Sequence, residues 1–277
     1  MILVTGATGN IGSALLRELH LAGAVPARGL TRDVRRASFP DGTEAVQGDL
    51  ARADSLKAAL EGARSLFLLS GTGAEAGVLE AARQAGVEHV VLVSSITVQT
   101  HPHLPAAAGN LAVERLVKGS GMDWTVLRPT QFASNALWWA QSVRERGLVR
   151  APYPDVGLPT VHPADVAAVA AVALTEPGHR GRTYALTGPE RITVRRQVAA
   201  IAAELGREVA LVETGREEAH RQLAPFLGDE IADAVLDLTG GDVNDELLKV
   251  RDTVPRVTGS AARSFRQWVS DHGAAFR

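Results

Sequence analysis

"MILVTGATGNIGSALLRELHLAG", residues 1–23, decides how the rest of the chain is read. Three apolar residues, Ile2, Leu3 and Val4, lead into Gly6, Gly9 and Gly12, and an amphipathic helical pattern follows over about 11–21. Strand, glycine turn and helix in that order build a cradle for phosphate. Gly6 lacks a Cβ and permits the tight turn, Gly9 lets a pyrophosphate approach the backbone, and Gly12 permits close packing of the helix. The helix then offers its first N–H groups and the positive end of its dipole to the anion. Glycines alone could mark a plain turn from strand to helix, but the flanking strand and helix make this a dinucleotide-binding signature.

Outward from that stretch, short β-branched runs alternate with Ala/Leu/Glu/Arg-rich segments, the pattern of βαβ units. Strands are expected at about 2–5, 26–30, 43–47, 65–69, 89–94 and 124–128. Amphipathic crossover helices are expected at 55–63, with Leu56, Ala59, Leu60 and Ala63 on one face, and at 75–87. Past "LRPTQF" prolines cluster, followed by the Ala-rich "ADVAAVAAVALTE", the strand-like "RTYALTG" and a helix-rich tail ending in "SFRQWVSDHGAAF". The expected fold is α/β: a Rossmann-type doubly wound parallel sheet with a smaller C-terminal substrate domain. Residues 1–128 would form the nucleotide-binding part and 129–277 mainly the substrate domain, with some segments returning to the sheet.

Composition narrows the chemistry. The chain has 277 residues, 45% of them hydrophobic, and a formal charge of −2, so a buried core is expected and nothing favours nucleic acid. It contains no cysteine, which removes disulfides and thiolate chemistry, and no His/Asp/Glu set has metal-ligand spacing, so no metal is expected. No run is long enough to span a bilayer, and the N-terminus enters a strand without a cationic start. A cytoplasmic monomer or homodimer is the expectation.

The end of the second strand bears on cofactor choice. An acid about 20 residues past the glycines would bond a ribose 2′-OH, whereas an arginine accommodates a 2′-phosphate. Here Thr31 and Arg32 occupy the place of the acid, with Arg35 and Arg36 following, so NADP(H) is favoured over NAD(H). Asp33 keeps NAD open, and the arginines could also form a solvated loop. Further on, Asp49, beside Leu50, could accept from an adenine amino group or act as a loop acid. Ser70, Gly71 and Thr72 end the fourth strand with small residues that let a cofactor lie against the backbone, or simply turn the chain.

"VTGATGNIG", "TRD", "GDL", "VLVSSI", "SGMDWTVLRPTQFASN", "HPADVAAVA" and "YALTGPE", in this order and spacing, resemble the NmrA-like members of the atypical short-chain dehydrogenase/reductase superfamily along essentially the whole chain. The resemblance implies NADP(H) binding through Gly6, Thr8, Gly9, Asn10, Ile11, Arg32 and Asp49. It also implies a nicotinamide near Ser94 and the loop 129–132, that is Pro129, Thr130, Gln131 and Phe132. Family members include quinone reductases, reductases of aromatic carbonyl compounds, enzymes of aromatic polyketide tailoring and silent NADP(H) sensors.

In typical reductases of that superfamily, a tyrosine protonates the carbonyl and a lysine four residues later lowers its pKa and holds the nicotinamide ribose. Here "HPHLPAAAGNLAVE", 101–114, puts Ala106, Ala107 or Ala108 at the first position. The lysine's position falls on Asn110, Leu111 or Ala112; the family's lysine commonly lies four residues before a glutamate, here Glu114, so the resemblance favours Asn110 as its replacement. Asparagine can bond a ribose hydroxyl but brings no charge to tune an acid. Reduction of a simple ketone leaves a localised alkoxide that needs such an acid, whereas a quinone yields a delocalised anion that takes its proton from water or a modest donor.

Candidates for that donor are His101 and His103, with Gln131 as a polar contact at the active-site wall; both histidines could equally be loop residues. Trp138 and Trp139, with Phe132 and Leu137, suit stacking on a flat ring or ordinary packing. His162 and Asp165 read as structural. Two functions follow: an NAD(P)H-dependent oxidoreductase acting on a quinone or polycyclic aromatic ketone, including a tailoring enzyme whose reduced product reacts with oxygen for net hydroxylation, or a non-catalytic NADP(H) sensor.

Overall fold

A computed structural model describes residues 1–23 and 25–277. In chain order the strands are β1 (Ile2–Val4), β2 (Ala27–Thr31), β3 (Glu44–Gln47), β4 (Ser65–Leu69), β5 (His89–Val93), β6 (Asp123–Pro129), β7 (Leu148–Ala151), β8 (Gly157–Leu158), β9 (Arg182–Leu186), β10 (Ile192–Thr193) and β11 (Ala210–Glu213). The chain divides into two compact units. The first comprises Met1–Pro129, Pro163–Leu186 and Thr253–Ser260; the second comprises Thr130–His162, Thr187–Asp252 and Ala261–Arg277.

In the first unit seven strands form one parallel sheet in the order β3-β2-β1-β4-β5-β6-β9. The near-continuous apolar runs of β1, β4 and β5 follow from burial on both faces, since helices cover a parallel sheet from either side. The chain begins at β1, runs outward to β3 and returns to β4 on the other side of β1, so the order reverses between β1 and β4. Ligands of open α/β sheets bind at that reversal. The Rossmann-type expectation is borne out.

The helix Pro163–Thr175, which follows residue 129 by more than thirty residues, packs in this unit against Asn10–Ala22. One local expectation is corrected. The segment 55–63 is a 3₁₀ turn, Ala53–Leu56, continued by a single α-turn, Lys57–Leu60. Its apolar face is as read, with Leu56, Ala59, Leu60 and Ala63 all buried. The helix stops because Gly62 turns left-handed (φ +71°) while Arg28, reaching from β2, donates to the carbonyls of Ala58, Ala59 and Glu61. A cation on those carbonyls satisfies groups that a longer helix would have bonded itself.

The second unit is built on two small sheets, β7 with β11 in parallel and β8 with β10 antiparallel. Its core gathers Trp268, Phe265, Phe276, Val143, Val149 and Ile201. The tail "SFRQWVSDH" folds as a helix, Phe265–His272, opened by a capping box between Ser264 and Gln267. Among the described residues, no helix is long and apolar enough to cross a membrane.

Candidate functional site

At the end of β1, Gly6 takes φ +58°, a left-handed conformation that a side chain disfavours, and its carbonyl accepts from Gly9 N at 2.9 Å. Gly9 is the N-cap of the helix Asn10–Ala22, and no side chain caps it. The first-turn amides at Asn10, Ile11 and Gly12 are therefore available to an anion, with no acidic residue in that turn to repel one. A Cβ on Gly12 would lie 2.2 Å from Gly6 O and 2.9 Å from Ala7 Cα. The third glycine thus admits the glycine loop itself, and Thr8, Gly9 and Asn10 remain exposed on its outer side. Gly12→Ala should weaken NADPH binding by about 2 kcal/mol, roughly thirtyfold, because the loop must move to admit the methyl. A fluorescence titration of NADPH into wild type and variant checks it.

Beyond β2, Asp33 is committed locally. Its Oδ1 accepts from Arg35 N at 3.0 Å and Arg35 Nε at 3.2 Å, capping the turn Val34–Arg36. Arg32 and Arg36 are exposed and their guanidinium groups make no ion pair among the described residues. Asp49 Oδ1 accepts from Ala51 N at 3.0 Å, the loop role, while Leu50 packs partly against the core.

At the end of β4, Ser70 Oγ donates to Asn110 Oδ1 at 2.5 Å, and Asn110 Nδ2 donates to Ala106 O at 2.9 Å. Gly71, at φ +93°, is exposed beside them. The residue in the lysine's place therefore touches the strand end next to β1. Ser94, 7% exposed, faces inward: its hydroxyl donates to Glu114 Oε1 at 2.8 Å. Glu114 is fully buried and is gripped by Arg128 Nε (2.8 Å) and Nη2 (2.7 Å) and by Lys118 Nζ (3.3 Å). Burial opposes charge on this carboxyl, but the Arg128 and Ser94 hydrogen bonds and the Arg128 and Lys118 charges outweigh it and hold its pKa below the ordinary glutamate value.

The second unit contains a cavity of about 240 Å³ with a mainly apolar wall. Phe132, Trp138 and Trp139 contribute rings, with Leu158, Leu223 and Leu236 among the aliphatic groups. Trp138 is 60% exposed, which leaves its ring free to stack. Gln131 also faces the cavity, its Nε2 donating to Thr160 Oγ1 at 3.0 Å.

Residues 6–177 match the NAD(P)H-binding family. The chain belongs to that family. It is 39% identical to the (4-alkanoyl-5-oxo-2,5-dihydrofuran-3-yl)methyl phosphate reductase of Streptomyces griseus, covering 100% of this chain and 99% of that one. It is 36% identical to the NAD(P)H azoreductase of Xenophilus azovorans, again over 100% and 99%. Its fold superposes on the Escherichia coli NADPH-dependent quinone oxidoreductase complexed with NADPH with a TM-score of 0.82, at 26% identity over 98% of this chain and 99% of that one. This member of the NAD(P)H-binding family is an NAD(P)H-dependent oxidoreductase.

The donor candidates part company. His101 is fully buried, with Nδ1 2.9 Å from Thr100 Oγ1, a setting that does not favour the donor role expected of it. His103, ring centroid 5.8 Å away, is exposed. Thr130 is buried and donates to Pro159 O at 2.7 Å, and Pro129 accepts from Ile96 N at 3.0 Å, so both hold the backbone. Leu137 packs into the core and does not line the cavity. Sequence reasoning missed Arg128 as the partner of Glu114, although it stands in "LRPTQF", and Gln197 and Thr214 in the cavity wall, which stand in no motif.

Proposed function

We propose that this oxidoreductase transfers hydride from NADPH to a quinone or similarly flat aromatic acceptor. The observation that carries the reading is the ring-walled apolar cavity of the second unit; the empty acid position of the first, Ala106 to Ala108 with Asn110 tied to Ser70, supports it separately. When bound, NADPH supplies a hydride, which with one proton converts quinone to hydroquinone. The first-turn amides and Gly6, Gly9 and Gly12 receive the diphosphate. Asn110 meets a ribose hydroxyl, and Phe132, Trp138 and Trp139 hold the flat ring and exclude water. Because the product anion is delocalised, water or the exposed His103 suffices as proton source. A net hydroxylation, as in aromatic polyketide tailoring, would follow where the hydroquinone then reacts with dioxygen so that one oxygen atom enters the ring and the other leaves as water.

NADPH is favoured over NADH because Arg32 and Arg36 are unengaged while Asp33 is spent on Arg35. Arg32→Ala should raise the Kd for NADPH about tenfold and leave that for NADH nearly unchanged. Equal losses for the two cofactors would refute the phosphate assignment. For the reaction, NADPH oxidation is followed with a panel of naphthoquinones and simple ketones. Turnover with the quinones alone is expected; tight cofactor binding without oxidation by any acceptor would overturn the reading.

A further inference from the structure

We infer that the cavity of the second unit has an uncharged polar subsite, formed by Thr214 and Gln197, which selects acceptors bearing a neutral hydrogen-bonding substituent such as a hydroxyl or carbonyl. The inference rests on the reading of that cavity as the acceptor site and adds the chemistry of one end of the acceptor.

Thr214 follows β11, where its N–H donates to Ala151 O at 3.1 Å and fixes it beside the end of β7. It is 6% exposed, it lines the cavity, and its hydroxyl has no hydrogen-bond partner in the chain. Gln197, on the helix Val194–Leu205, also lines the cavity and is 7% exposed. Three other polar groups of the wall are engaged: Gln131 donates to Thr160, Gln222 to Glu218, and the Thr239 hydroxyl to Val235 O; Asn135, half-buried in the same wall, is likewise uncharged. A buried hydroxyl left unpaired costs about 1–3 kcal/mol, which a ligand atom bonded to it would recover.

The subsite carries no free charge. Arg150 is the one charged residue of the described wall, and its Nη1 is bound to Glu218 Oε1 at 2.9 Å. A phosphate or sulfonate would leave water for a described wall whose one cation is already paired with Glu218, which is unfavourable. A hydroxyl or carbonyl would instead exchange one solvent hydrogen bond for one with Thr214 or Gln197.

The test compares a naphthoquinone bearing a hydroxymethyl group with its methyl and sulfonate analogues, each titrated against the complex with NADP+, which cannot reduce them, by quenching of Trp138 and Trp139. Wild type should bind the hydroxymethyl compound about tenfold more tightly than the methyl one, and the sulfonate least well. Thr214→Val and Gln197→Leu should each remove most of that preference while binding the methyl analogue as before. Since the Thr214 hydroxyl is unpaired within the chain, the valine variant should keep its Tm. No preference in wild type, equal losses for both analogues in the variants, or tightest binding of the sulfonate would overturn the subsite alone. No quenching by any naphthoquinone would overturn the acceptor site, and the subsite with it.

Discussion

Replacing Glu114 by alanine should destabilise the protein by about 3–5 kcal/mol, the largest loss expected from a single substitution here. The carboxylate is wholly buried and accepts two hydrogen bonds from one guanidinium, one from Ser94 and one from Lys118. Its removal leaves the Arg128 side chain, only 16% exposed, with its hydrogen bond to Gln99 but without its carboxylate. An uncompensated charge in that position costs more than the pair itself ever gained. Urea denaturation at neutral pH checks the prediction, and a loss below about 1 kcal/mol would refute it. Glu114→Gln, which keeps an acceptor but not the charge, should fall between. The same substitutions should disturb Ser94 and, through the helix Pro105–Lys118, the Asn110–Ser70 contact.

Stability should also fall steeply in mild acid. His89 and His162 are 2% and 4% exposed, and burial pushes both pKa values down to about 4 from 6.5. For His89 the Arg180 and His179 charges add to burial and Asp123 opposes it. For His162 the Arg263 and His272 charges add to it and Asp271 opposes it. Thr125 gives its hydroxyl hydrogen to His179 O, so His89 Nε2, 3.0 Å away, is the donor of their contact, while burial favours the neutral ring. The unfolded chain takes up protons below 6.5 and the folded one only near 4, so each histidine contributes stability that is complete above 6.5 and lost as pH falls towards 4. The slope is about 1.4 kcal/mol per pH unit for each ring, up to about 3 kcal/mol. Glu114, with its lowered pKa, adds a further loss only below the ordinary glutamate range. Denaturation midpoints measured across this range, with His89→Gln and His162→Gln each removing one titration, read the effect. An unchanged midpoint between neutral pH and the lower limit would exclude it.

The first unit was the more legible part of the chain. All seven strands of its sheet, "RTYALTG" included, and the phosphate turn were readable because both signals are local: a parallel strand is a short apolar or β-branched run, and the turn needs glycine at fixed spacing. The Ser70–Asn110 contact lies across forty residues, yet each partner stood in a readable place, one at a strand end and one in the lysine's position. His101 and His103 had equal standing in sequence, two residues apart on one loop. The packing separates them into a buried ring and an exposed one.

By itself, then, the amino-acid sequence determined the Rossmann-type sheet, the dinucleotide cradle and the absence of a tyrosine–lysine pair, since these depend on residue type and near neighbours. Only the tertiary structure decided that Glu114 is the centre of a buried charge network, that Asp33 is spent on Arg35, and that Thr214 faces a cavity with an unpaired hydroxyl. The physical reason is that satisfaction of a charge or hydroxyl is a property of everything around it. Arg128 reaches Glu114 over fourteen positions, and the cavity that holds Thr214 takes its wall from residues more than a hundred apart in the chain.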